Sequence, residues 1–165
     1  MQFVGDNDLR AGEIALPLDP AKMEADAEVV FIGRIRSAWK SRRECPRSMT
    51  EARKRGQAAR IEIDEGWRAG LAGLDERTHA VVLYWMNEAR RDLIVQSPRH
   101  KSGSAGVFAL RTPVRPNPIA LATVRILNID EAAGRVEIDA IDCIDGTPLV
   151  DLKPWLETTD GAQLR

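Results

Sequence analysis

The sequence predicts an all-β protein, a small antiparallel β-barrel of about seven strands with one or two short helices. Three features carry that prediction. The apolar stretches are short and closed off by Gly, Pro, Asp or Asn. Several alternate apolar and polar residues with the period of a half-buried strand, as in Arg135-Val136-Glu137-Ile138-Asp139. Only Thr50–Arg55 and Glu65–Leu74 have helical composition or spacing, so strands dominate.

Taken in order, residues 1–27 hold Pro17 and Pro20 and no sustained periodicity, and read as an extended arm. Glu28–Arg36 is the first strand, β-branched and aromatic at its start and alternating at its end. The polar, basic segment from Trp39 carries a short helix at Thr50–Arg55 and leads to a strand at Ala59–Ile63. Trp67, Leu71 and Leu74 sit at helical spacing and predict one or two turns over Glu65–Leu74. Thr78–Met86 is almost entirely apolar and reads as a buried strand. A polar stretch, Asn87–Ser104, separates it from a strand at Ala105–Leu110. Ile119–Ile129 and Arg135–Cys143, joined through a turn ending in Gly134, form a long hairpin. Asp145-Gly146-Thr147-Pro148 makes the next turn, Leu149–Leu152 the last strand, and residues 157–165 a frayed tail. The organisation is therefore an arm over 1–27, one barrel domain over 28–156 and a tail over 157–165, which suits a chain of 165 residues with 44% hydrophobic content.

Composition excludes several classes of function. Cys45 and Cys143 are the only cysteines and have no ligand spacing, so neither a disulfide framework nor a zinc site is expected. With two histidines, His79 and His100, and no G-x-S-x-G elbow, hydrolase chemistry has no support. Gly103-Ser104-Ala105-Gly106 precedes a strand and not a helix, which excludes a dinucleotide fingerprint. Asp139, Asp142 and Asp145 are three residues apart, unlike the alternate spacing of a calcium loop, and no metal is expected. The acidic start lacks a signal-peptide profile and the longest apolar run, Ala80–Met86, is far below membrane-spanning length, so the expectation is a soluble cytoplasmic protein.

The net charge of −1 hides a separation of sign. Arg34–Arg60 contains ten Lys/Arg against Glu44 and Glu51, whereas Asn128–Arg165 is strongly acidic. Such a chain turns a basic face toward a polyanion, or it merely solvates its surface elements; both readings stand.

Gly106–Pro118 is the most informative segment. Pro113, Pro116 and Pro118 stiffen a loop that carries Arg111 and Arg115, and a pre-ordered pair of guanidiniums suits a carboxylate or phosphate. Around the Asp145 turn, Asp142, Asp151 and Lys153 gather charge at one end of the sheet, either for a ligand or for the loop arginines.

Phe31-Ile32-Gly33-Arg34-Ile35-Arg36-Ser37, Cys45-Pro46-Arg47, Phe108-Ala109-Leu110-Arg111 with Arg115-Pro116-Asn117-Pro118-Ile119, and Asp145-Gly146-Thr147-Pro148 with Asp151-Leu152-Lys153-Pro154 together resemble the TsaA-like (YaeB/TrmO) family over Val29–Leu156. The resemblance implies a dimeric β-barrel that binds S-adenosylmethionine between protomers and methylates threonylcarbamoyl-adenosine in transfer RNA, with no DNA or membrane partner. It implies a cofactor pocket drawing on Pro46, Arg47, Met86, Asn87, Arg111, Thr123, Ile141 and Asp142. Arg115, Asn117, Asp145 and Lys153 are the candidates for substrate binding, and no catalytic residue is assigned. The chain departs from the family at Ser48, Asn87, Ala120 and Ala122, which stand where glutamine, histidine, glycine and serine are usual. Those changes keep open two alternatives, a non-catalytic S-adenosylmethionine-binding module and a small-molecule methyltransferase.

Overall fold

A computed structural model describes residues 9–98 and 102–161. In chain order they form β1 (Ile14–Ala15), β2 (Gly33–Arg36), α1 (Met49–Arg55), β3 (Ala59–Ile63), β4 (His79–Trp85), β5 (Leu93–Gln96), β6 (Ala105–Gly106), β7 (Ile119–Asp130), β8 (Arg135–Ile138), β9 (Thr147–Pro154) and α2 (Glu157–Asp160), with short 3₁₀ turns between. The chain divides into two compact units, one from the residues through Glu28 with Glu88–Pro118, the other from Val29–Asn87 with Ile119–Arg165.

The larger unit is a closed barrel in the order β2-β3-β8-β7-β4-β9, every neighbouring pair antiparallel. Closure leaves no exposed strand edge, the usual liability of a small sheet. Side chains alternate as the sequence requires: Ile35, Ile61, Val82, Val124, Val136, Ile138 and Leu149 point inward and are buried. Their outward neighbours on β2 and β3 are charged. Arg36 lies directly opposite Arg60 in register, an arrangement that would be repulsive by itself. Glu62 resolves it, accepting from both guanidiniums at 2.8 Å.

The barrel confirms the all-β expectation, and its departures from the predicted boundaries have local causes. The first strand starts only at Gly33, although Ile32 N still donates to Leu149 O at 3.0 Å. The strand predicted to reach Cys143 ends at Ile138, because the Asp139 carboxylate takes the Arg125 amide at 2.8 Å and turns the chain. Glu65–Leu74 becomes 3₁₀ structure over Glu65–Leu71 and Leu74–Glu76, consistent with the poor helix propensity of Gly66, Gly70 and Gly73. α1 is set by its ends. Ser48 Oγ accepts the Glu51 amide, the Glu51 carboxylate accepts the Arg47 amide at 2.9 Å, and Gly56 closes the helix at φ 66°. The family departure at Ser48 thus serves as a helix cap. Residues 157–160, expected to fray, form a single turn in which Asp160 accepts the Leu156 amide at 2.8 Å.

The smaller unit contains the antiparallel sheet β1-β5-β6. β5 falls in the stretch read as polar linker. The predicted strand at Ala105–Leu110 is two residues long and passes into a 3₁₀ turn over Val107–Ala109, driven by burial of Val107.

Candidate functional site

In the barrel unit, the segment after β8 is stitched to the loop after β2. Ser37 Oγ donates to Cys143 O at 2.8 Å and Trp39 Nε1 to Ile141 O at 2.9 Å. Asp145 accepts the Ser37 amide at 3.1 Å and Lys40 Nζ at 2.9 Å, with Arg36 at 3.8 Å, and its own amide donates to Trp39 O. Arg55 stacks over the Trp39 ring, 5.1 Å from its centroid. This clamp fixes Ile141, which is buried, and Asp142, which is half-buried. From inside the barrel Tyr84 Oη donates to Asp142 Oδ1 at 2.7 Å.

Asp142 has no ion-pair partner among the described residues. Burial, reinforced by the Asp142 charge, pushes the Cys45 thiol up to about 11 and the Tyr84 phenol far above its ordinary range. The Cys143 thiol is likewise raised, chiefly by burial. Both cysteines are free thiols and stay protonated at neutral pH.

The other expected cofactor residues distribute as follows. Pro46 is buried and Arg47 is exposed just before α1; Met86 packs against the core and Asn87 is exposed where β4 ends. Thr123 sits opposite Val81 in register, on the outward side of β7, and its carbonyl accepts from Arg53 at 2.6 Å. Ala120 and Ala122 lie opposite Tyr84 and Val82, where small inward side chains leave room for the phenol.

In the smaller unit the proline-rich loop is braced from within. Arg115 Nη1 donates to Leu110 O at 3.0 Å and Thr112 O at 3.3 Å, while Arg91 donates to Pro116 O and to Asn117 Oδ1. Arg115 thus holds the loop's shape, and Arg111 is exposed. Of the other substrate candidates, Asp145 is the clamp above and Lys153 pairs with Asp151 at 2.7 Å. Among the basic residues of 34–60, Arg34, Arg42, Arg43, Arg47 and Lys54 form no ion pair among the described residues. His100, Arg99 and Lys101 lie outside the described residues.

A cleft of about 540 Å³ between the 3₁₀ run and β9, lined by Trp67, Leu74, Arg77 and Leu152 among others, contains none of the expected cofactor residues. Asp139, Asp142 and Asp145 bond to different partners and do not converge. Tyr84 is the residue that sequence reasoning missed. It reads as core, but a buried phenol needs an acceptor, and one tyrosine in an aliphatic strand signals that need.

Acid should weaken this clamp. Lys40, ahead of the Ser37 amide and Arg36, holds the Asp145 carboxyl below its ordinary value near 4, and Arg36 does the same for Glu62. A carboxyl depressed in the folded state contributes stability that is complete above the unfolded value and lost as pH falls through the folded one. Urea midpoints should therefore be flat at neutral pH and drop below about pH 4. Asp145→Asn should be less stable at pH 7 and lose less on acidification; an acid slope equal to wild type would show that Asp145 is not depressed.

Comparison with known proteins agrees with this architecture. The chain is 38% identical over 146 residues to the probable S-adenosyl-L-methionine-binding protein VirR of Rhizobium radiobacter, covering 88% of this chain and 79% of that one. It is 34% identical over 96 residues to the tRNA (adenine(37)-N6)-methyltransferase of Mus musculus, covering 56% of this chain and 22% of the mouse protein. The solved TrmO from Pseudomonas aeruginosa superposes with a TM-score of 0.66 at 30% identity, over 86% of this chain and 61% of the TrmO chain. This chain thus spans less than two thirds of the length of the TrmO structures it matches. The family model of the tRNA-methyltransferase O N-terminal domain matches residues 34–161, most of the barrel unit included, and the chain belongs to that family.

Proposed function

We propose that this chain binds S-adenosylmethionine and transfers its methyl group to an adenosine of transfer RNA, with the threonylcarbamoyl-modified base as acceptor. The observation that carries the reading is a barrel of this family presenting a half-buried carboxylate, Asp142, with one oxygen bonded to Tyr84 and no ion-pair partner among the described residues. The donor set suits the ligand. S-adenosylmethionine supplies an electrophilic methyl on a sulfonium, and it also carries a ribose diol, an ammonium and a carboxylate. Asp142 accepts from hydroxyl or amine, and the exposed guanidiniums of Arg47 and Arg111 suit the carboxylate. Pro46, Met86, Asn87, Thr123 and Ile141 complete the proposed contacts.

Methyl transfer discharges a sulfonium, so a carboxylate held against the sulfur would favour the ground state. The protein's contribution is alignment of the acceptor nitrogen in line with the methyl, with the proton lost late to solvent or a carboxylate. Exposed Arg42, Arg43 and Lys54 would contact phosphates, which would position RNA without reading its bases. A homodimer is proposed as well, supported by exposed Ile119, Leu121 and Leu127 along β7. No helix among the described residues is long and apolar enough to cross a membrane.

The test is mass analysis of transfer RNA nucleosides after incubation with protein and cofactor. A gain of one methyl on the modified adenosine is expected. Cofactor binding without such a gain would favour the second reading, a binding module, which the name of the VirR relative supports. RNA affinity should fall steeply with salt; a flat response would remove the phosphate contacts.

A further inference from the structure

Several carboxylates around the barrel pair with cations, whereas half-buried Glu137 and Asp142 have no ion-pair partner among the described residues. Asp139 pairs with Arg53, Asp145 with Lys40 and Arg36, Asp151 with Lys153, Asp130 with Arg135, and Glu62 with Arg36 and Arg60. Asp142 is half-buried yet has no cationic partner among the described residues, and its hydrogen bond there is the one from Tyr84. Tyr84 is 3% exposed, projects into the barrel opposite Ala120, and is the chain's single tyrosine. The thiols of Cys45 and Cys143 lie close enough to feel the Asp142 charge. A carboxylate with one oxygen bonded to a phenol and no ion-pair partner has acceptor capacity left for something outside the protein.

We propose that Tyr84 is a positioning residue of the cofactor site: its phenol occupies Oδ1 and fixes the carboxylate plane, so that Oδ2 accepts from a ligand donor shared by S-adenosylmethionine and S-adenosylhomocysteine. This rests on the cofactor reading above. The restriction to a shared donor follows from the chemistry, because a carboxylate directed at the sulfonium would hold back the very group that must lose its charge. A neutral phenol is suited to the task. A lysine or arginine in its place would fix the carboxylate equally well but cancel its charge, and a phenylalanine would leave it free to rotate.

The experiment is calorimetric titration of the full chain, Tyr84→Phe, Asp142→Asn and the double variant with each of the two ligands. Tyr84→Phe should weaken both by about tenfold, and by the same factor. Asp142→Asn, which replaces an acceptor by a donor, should weaken both further, and the double variant should be no worse than Asp142→Asn alone. Tyr84→Phe binding like wild type would overturn the inference while leaving the cofactor reading intact. So would a loss confined to S-adenosylmethionine, which would put the carboxylate at the sulfonium. A wild-type chain that binds neither ligand would remove the cofactor reading and this inference with it. A second measurement needs no variant. With 3-fluorotyrosine the chain gives one ¹⁹F resonance, expected to move on saturation with either ligand; a resonance that stays fixed under saturation would overturn the inference.

Discussion

Gly33→Ala destabilises the barrel by more than about 3 kcal/mol, or prevents its folding. A Cβ at Gly33 would stand 2.0 Å from the Glu62 carbonyl oxygen, 3.0 Å from its carbon and 3.1 Å from Ile63 Cα. All three are backbone atoms of β3, so no flexible side chain can move aside. β2 would have to retreat from β3, giving up the register that pairs Gly33 with Ile63 and Arg34 with Glu62. Gly33 also pairs with Leu149 on the other side, so relief toward one neighbour strains the closure at the next. Gly70→Ala is the matched control, since nothing lies within 4 Å of its position and its φ is not positive. Thermal unfolding should drop by more than about 6 °C for Gly33→Ala and hardly move for Gly70→Ala. Equal melting temperatures would show that β2 and β3 do not approach this closely.

Arg111→Ala weakens S-adenosylmethionine binding by about 2 kcal/mol, close to thirtyfold. The effect expected is loss of a charge-assisted contact to the ligand's carboxylate. Arg115, four residues away, donates to the carbonyls of Leu110 and Thr112. Arg115→Ala should loosen the loop and raise its protease sensitivity along with its effect on binding. Lys54→Ala, on an exposed face of α1, should leave cofactor affinity unchanged. Calorimetry decides it: an Arg111→Ala affinity within twofold of Lys54→Ala would remove Arg111 from the cofactor site.

Much of the barrel was legible because strands announce themselves by alternation. Arg135–Ile138 and Ala59–Ile63 place every second residue in the core; the strand expected over Ala59–Ile63 has those bounds, and the one expected over Arg135–Cys143 starts at Arg135 and stops at Ile138. β5 is not legible: it holds three apolar residues, Leu93, Ile94 and Val95, before Gln96, and only its pairing with β1 and β6 makes it a strand. The helix expected over Thr50–Arg55 starts one residue earlier, at Met49, where Ser48 three residues before Glu51 supplies the cap. Gly33 read as an ordinary strand residue, although its missing side chain is what lets two backbones meet.

By itself the sequence determined the fold class and the proline-stiffened loop, because these depend on periodicity and on the local restrictions that proline imposes on neighbours in the chain, while its motifs carried the family resemblance. Only the tertiary structure decided which charges are already spent. Arg115 braces its own loop, Asp145 clamps Lys40, and Asp142 meets a phenol 58 residues away. The reason is physical: a charged side chain reaches only its neighbours in space, and in an antiparallel barrel most of those neighbours come from distant parts of the sequence.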